Sequence, residues 1–97
     1  MTSAQAARYI DEDHARVTRW SFAQAGDATD MHTHEFDYIV VPVTGGELVV
    51  VMEDGATTRM VQMAGVPYSG RAGTRHNVAS ASDDPIVFVE IELKPAR

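Results

Sequence analysis

Apolar and polar residues alternate in twos along almost the whole chain, and no long stretch keeps a spacing of 3.6. Successive side chains of an extended strand point to opposite faces, so this period marks strands with one buried face rather than amphipathic helices. Arg16-Val17-Thr18-Arg19-Trp20-Ser21-Phe22 mixes β-branched and aromatic residues with polar ones, as a half-buried strand does. The segments 37–43, 47–53, 57–63, 76–80 and 86–93 repeat that pattern, with Val87, Val89, Ile91 and Leu93 on one face of the last. Glycine, proline and aspartate punctuate them: 26–30, Thr44-Gly45-Gly46, 64–70, Gly73-Thr74-Arg75 and Ser82-Asp83-Asp84-Pro85 read as turns, and Asp54-Gly55 as a hairpin. About seven or eight short strands at regular spacing predict an all-β sandwich or barrel. Residues 2–8 suit one helical turn, whereas Tyr9 and Ile10 ahead of Asp11-Glu12-Asp13 read equally well as an edge strand. Pro42 inside an apolar run predicts a bulge or an edge, since proline cannot donate to a ladder.

At 97 residues the chain has room for one core, so a single domain spanning 1–97 is expected. Hydrophobic residues make up 44% and charged ones 23%, a balance that excludes disorder and fibrous repeats. The absence of cysteine excludes disulfides, thiolate catalysis and cysteine-based zinc sites. A net charge of −6 argues against a nucleic-acid partner and against an anionic membrane surface, both of which need clustered cations. The first residues contain no apolar stretch of signal-peptide length, and a cytoplasmic location is expected. The segment 48–52 is apolar on both faces of its strand. One side should meet the second sheet and the other a partner subunit, which predicts a homodimer.

Four histidines are present, at positions 14, 32, 34 and 76. His32-Thr33-His34 places two imidazoles on one face of an extended chain, an arrangement that suits a borderline divalent metal. Tyr38 shares their parity, and His76 follows a glycine-containing turn. Glu35 has the opposite parity, which predicts a solvated rim carboxylate unless a bulge turns it inward. Glu90 alternates with Val89 and Ile91 and is expected to face solvent or an interface.

On these residues the chain resembles the cupin superfamily. The family's first motif, G-x5-H-x-H-x3-4-E-x6-G, is met by Gly26, His32, His34 and Gly45, with Tyr38 in the glutamate position. The second, G-x5-P-x-G-x2-H-x3-N, is met by Gly65, Gly73 and His76, with Arg71 replacing the proline and Ser80 the asparagine. The resemblance implies a jelly-roll β-barrel, or double-stranded β-helix, with motif regions at 26–45 and 65–80. It further implies a metal-binding mouth with His32, His34 and His76 as ligands. The cofactor would be one divalent transition metal: Fe, Ni, Zn, Mn or Cu.

The family's glutamate ligand is missing. Tyr38 either binds as tyrosinate, against an ordinary phenol pKa of roughly 10, or stands beside the metal as an acid–base group. The resemblance allows dioxygenase, isomerase or lyase chemistry on a small polar molecule. The alternative is a non-catalytic module that binds or senses a small ligand. Arg71 and Arg75 bracket the turn before His76. They either balance an acidic surface or reach the mouth to pair with a substrate carboxylate. Tyr68 lines the pocket or packs in the core. His14 is expected at the surface; Trp20, Phe22 and Phe36 in the core or a dimer interface; and Met52, Met60 and Met63 as barrel filling.

Overall fold

The structure, a computed structural model, describes residues 2–95. Among them lie the strands β1 (Gln5–Asp11), β2 (Ala15–Phe22), β3 (His32–Thr33), β4 (Asp37–Pro42), β5 (Gly46–Met52), β6 (Thr57–Gln62), β7 (Tyr68–Gly70), β8 (Arg75–Ser80) and β9 (Ile86–Leu93), with no helix. They form two sheets in the orders β1-β2-β9-β4-β7 and β3-β8-β5-β6. Every pairing between these strands is antiparallel. This is the expected all-β jelly roll. No helix among the described residues is long and apolar enough to cross a membrane.

The hairpin expected at Asp54-Gly55 joins β5 to β6. Gly55 has φ 90°, a conformation that only glycine adopts without strain, and its N–H donates to the carbonyl of Met52 at 2.9 Å. At the N-terminus the edge-strand reading holds rather than the helical turn: β1 pairs with β2, and its register slips between Arg8 and Ile10. Pro42 ends β4 opposite Phe88, beyond Val40, the last residue of that strand paired with β7. Its missing N–H therefore interrupts no ladder on that side.

The core lies between the sheets. Phe22, Tyr38, Val40, Leu48, Val78, Ile86 and Phe88 are buried, with Trp20, Val50, Met60 and Tyr68 packed against them. Full burial of a side chain such as Phe22, Leu48 or Ile86 contributes roughly 1.5–3 kcal/mol.

The structure departs from several of these expectations. In β9 the inward face is Ile86, Phe88, Glu90 and Glu92, whereas Val87, Val89 and Ile91 are half-buried outside it and Leu93 is exposed. Glu90 therefore faces the interior, not solvent. Both faces of β9 begin apolar, so alternation alone did not say which one turns inward. Met63 and Met52 are 64% and 36% exposed, and only Met60 of the three methionines fills the barrel. Phe36 is half-buried outside the core, with the Arg16 guanidinium 5.4 Å from its ring centre.

Candidate metal centre

The antiparallel pairing of β3 with β8 sets His32 directly opposite His76. His34 follows two residues later, on the same side of the chain. Its N–H donates to the carbonyl of Thr74 and its own carbonyl accepts from Gly73, so the ladder with the turn before β8 continues past β3. The result brings all three side chains together. Nε2 of His34 lies 3.2 Å from Nε2 of His32 and 3.0 Å from Nε2 of His76.

Three neutral imidazoles cannot satisfy one another at such distances, because each ring carries one N–H and one lone pair. The tautomer of His32 is set from outside the cluster. Its Nδ1 lies 2.9 Å from the carbonyl of Asp30, which can only accept, so Nδ1 carries the proton and Nε2 turns a bare lone pair on the cluster. Asp30 holds that carbonyl in place with φ 71°, the only positive φ of a non-glycine among the described residues. Nitrogens that share one ion through bonds of about 2.1 Å lie about 3.0–3.4 Å apart. The spacing observed here fits a metal.

Aromatic rings fix the imidazoles. Trp20 stacks on His32 with ring centres 6.5 Å apart, and Tyr38 lies flat on His34 at 3.8 Å. The Tyr38 ring and hydroxyl occupy the space where a side chain on Gly70, its partner across β4 and β7, would stand. Glycine is thus required at position 70 by close approach. Tyr38 contributes its ring face to His34, and burial, followed by the charge of Glu90, pushes its phenol above the ordinary value.

The histidines open on a cavity of about 210 Å³. Val40, Val50, Met60, Val78 and Phe88 make it apolar, and Trp20, Tyr38 and Tyr68 form aromatic walls. The Tyr68 hydroxyl donates to Oε1 of Gln62 at 3.2 Å. Glu90 lines the cavity as well and was missed from the sequence. Burial first, and then the neighbouring charge of Glu92, push its carboxyl up to about 7, against the opposing influence of Trp20 and of the Arg16 and Arg8 charges. Glu92 is buried at 6% exposure, yet the hydrogen bonds from Arg16 hold its carboxyl below its ordinary value. Nε and Nη2 of Arg16 donate to its two oxygens at 2.6 and 2.7 Å. One signal for Glu90 and Glu92 was available: two acids spaced by two in an otherwise apolar strand.

The remaining candidates lie elsewhere. Glu35 is a rim carboxylate whose side chain is 69% exposed, 3.8 Å from Arg16. Arg71 is exposed, and Arg75 donates to Oγ1 of Thr33 at 2.9 Å while pairing with Glu53 at 3.5 Å. Neither arginine lines the cavity. His14 is exposed.

Burial, then the neighbouring histidines, lower His34 and His76 to about 4, so both are neutral at pH 7 as ligands must be. Unfolding returns them to about 6.5. A folded pKa below the unfolded one means that the unfolded chain binds more protons between those values. The metal-free protein is therefore expected to lose stability as the pH falls from about 6.5 towards 4. Glu90 acts in the opposite sense between about 7 and its unfolded value, but it is one group against two. Urea midpoints at pH 7 and pH 5 check this, and an equal or higher midpoint at pH 5 would contradict it.

No model of a known protein family matches the chain. It is 41% identical over 85 residues to the beta-alanine degradation protein BauB of Pseudomonas aeruginosa, covering 88% of this chain and 87% of that protein. The crystal structure of a cupin domain from Bordetella pertussis superposes with a TM-score of 0.91 at 38% identity, over 97% of this chain and 96% of that one. An RmlC-like cupin with a double-stranded β-helix fold from Methanocaldococcus jannaschii shares the fold at a TM-score of 0.77 and 11% identity, over 97% and 83% of the two chains. With a like-sized relative at this identity, a shared double-stranded β-helix and both histidine motifs in register, the chain belongs to the cupin superfamily.

Proposed function

We propose that the chain is a mononuclear metalloprotein, and in the first reading a metalloenzyme of dioxygenase, isomerase or lyase type that acts on a small polar molecule. The observation that carries this reading is the meeting of three Nε2 atoms at 3.0 and 3.2 Å at the mouth of an apolar cavity. His32, His34 and His76 would hold a divalent Fe, Ni, Zn, Mn or Cu ion. When bound, such an ion supplies Lewis-acid polarisation of an oxygen, or a place for dioxygen or water.

The chain's own residues do the rest. Asp30 keeps the Nδ1 proton on His32, and Tyr38 holds the His34 ring in plane. The apolar lining excludes water and strengthens every polar contact within. The Tyr38 phenol, kept protonated by burial, is a donor for a substrate oxygen. The likeness to a beta-alanine degradation protein supports the breakdown of a short amino-acid-like compound as the setting.

Elemental analysis of untagged protein, purified without chelators or immobilised metal, tests the reading. About one transition-metal ion per chain is the expected result. Metal-free protein that also takes up no added Fe, Ni, Zn, Mn or Cu would sink it, and the non-catalytic binding module would then lead.

A further inference from the structure

Among the described residues Glu90 is the only acidic side chain lining the cavity, and no lysine or arginine lines it. Its neighbour Glu92, on the same face of β9, is already held by both nitrogens of the Arg16 fork. Glu90 forms no ion pair among the described residues, and the Trp20 ring lines the cavity with it. It does not belong to the three-histidine cluster. It forms instead a second group with His34 and Glu92, whose ligand atoms lie within 4.8 Å of one another. Ionised, a carboxylate without a direct ion pair among apolar side chains is costly, and a cationic ligand offsets that cost. The surroundings suit one: Trp20, Tyr38, Tyr68 and Phe88 give the cavity aromatic faces, which attract ammonium groups.

We infer that Glu90 receives the ammonium group of a short ligand whose oxygen end meets the three histidines, so that the site selects ω-amino acids or similar amino compounds. The inference rests on the metal-site reading for the oxygen end alone. Cavity size limits the ligand: about 210 Å³ is of the same order as the roughly 150 Å³ that accommodates benzene in an engineered protein cavity.

Titration calorimetry of the zinc-loaded protein with β-alanine and butanoate, which differ in an ammonium against a methyl group, tests it. β-Alanine is expected to bind at least about 10-fold more tightly, as a charge-assisted hydrogen bond implies. Glu90→Gln should abolish that preference by weakening β-alanine at least about 10-fold. Equal affinities in the wild-type protein, or no binding of β-alanine, overturns the inference without recourse to any variant. A preference that survives Glu90→Gln overturns it too. The same pair measured on metal-free protein separates this inference from the metal reading. An amine preference there upholds Glu90 even if zinc never binds, whereas bound zinc without any preference removes Glu90 and leaves the metal site standing.

Discussion

His76→Ala is expected to abolish stable metal binding, with affinity for Zn or Ni lowered by at least about 100-fold. That exceeds the roughly 10–100-fold effect typical of groups that only orient a ligand. His76 is 9% exposed and its Nε2 lies 3.0 Å from that of His34. Alanine leaves two of the three imidazoles, with Glu90 and Glu92 grouped with His34 alone. Glu35 cannot step in, because it lies out on the rim beside Arg16. Glu35→Ala is the matched control and should retain its metal. Dialysis against a competing chelator followed by elemental analysis reads both variants. Metal content in His76→Ala equal to wild type would remove this residue from the ligand set.

Arg16→Met should cost about 3–5 kcal/mol of folding stability, the loss typical when one partner of a buried ion pair is removed and the other stays charged. For a chain of this length that corresponds to a fall in Tm of roughly 12–40 °C. The Glu92 side chain is 8% exposed and that of Arg16 20%, so water replaces little of the lost interaction. The contact to Glu35 adds little, because that carboxylate is solvated. The double variant Arg16→Met with Glu92→Leu should recover most of the loss, since an apolar pair of similar size needs no desolvation. Urea unfolding of the two variants decides: an Arg16→Met protein within about 1 kcal/mol of wild type would show that Glu92 finds another partner. Glu92 has a folded pKa below its unfolded one. The stability it confers is present above the unfolded value of about 4.5 and lost as the pH falls through the folded value.

Most of the strands were legible because a period of two and glycine or proline turns are local properties. β2, β4, β5, β6, β8 and β9 lie within a residue or so of where alternation places them. β7 was hidden in the stretch broken by Gly65 and Pro67. Three residues carry little periodicity, and Tyr68–Gly70 pair only because β4 lies alongside. The histidines were legible for a similar reason, since spacing in a strand fixes which side chains share a face. Glu90 was not, because the choice of inward face in β9 depends on neighbours far away in the chain.

The sequence by itself determined the all-β class, the turns that separate the strands, and the three histidines in register. Each follows from residue type and spacing within a few positions. Only the tertiary structure decided which face of β9 turns inward, and with it the placing of Glu90 in the cavity and the pairing of Glu92 with Arg16. It also decided that Tyr38 lies against His34 over Gly70, and that Arg71 and Arg75 stay outside. These depend on which strands become neighbours, and a strand with two apolar faces carries no local record of its partners.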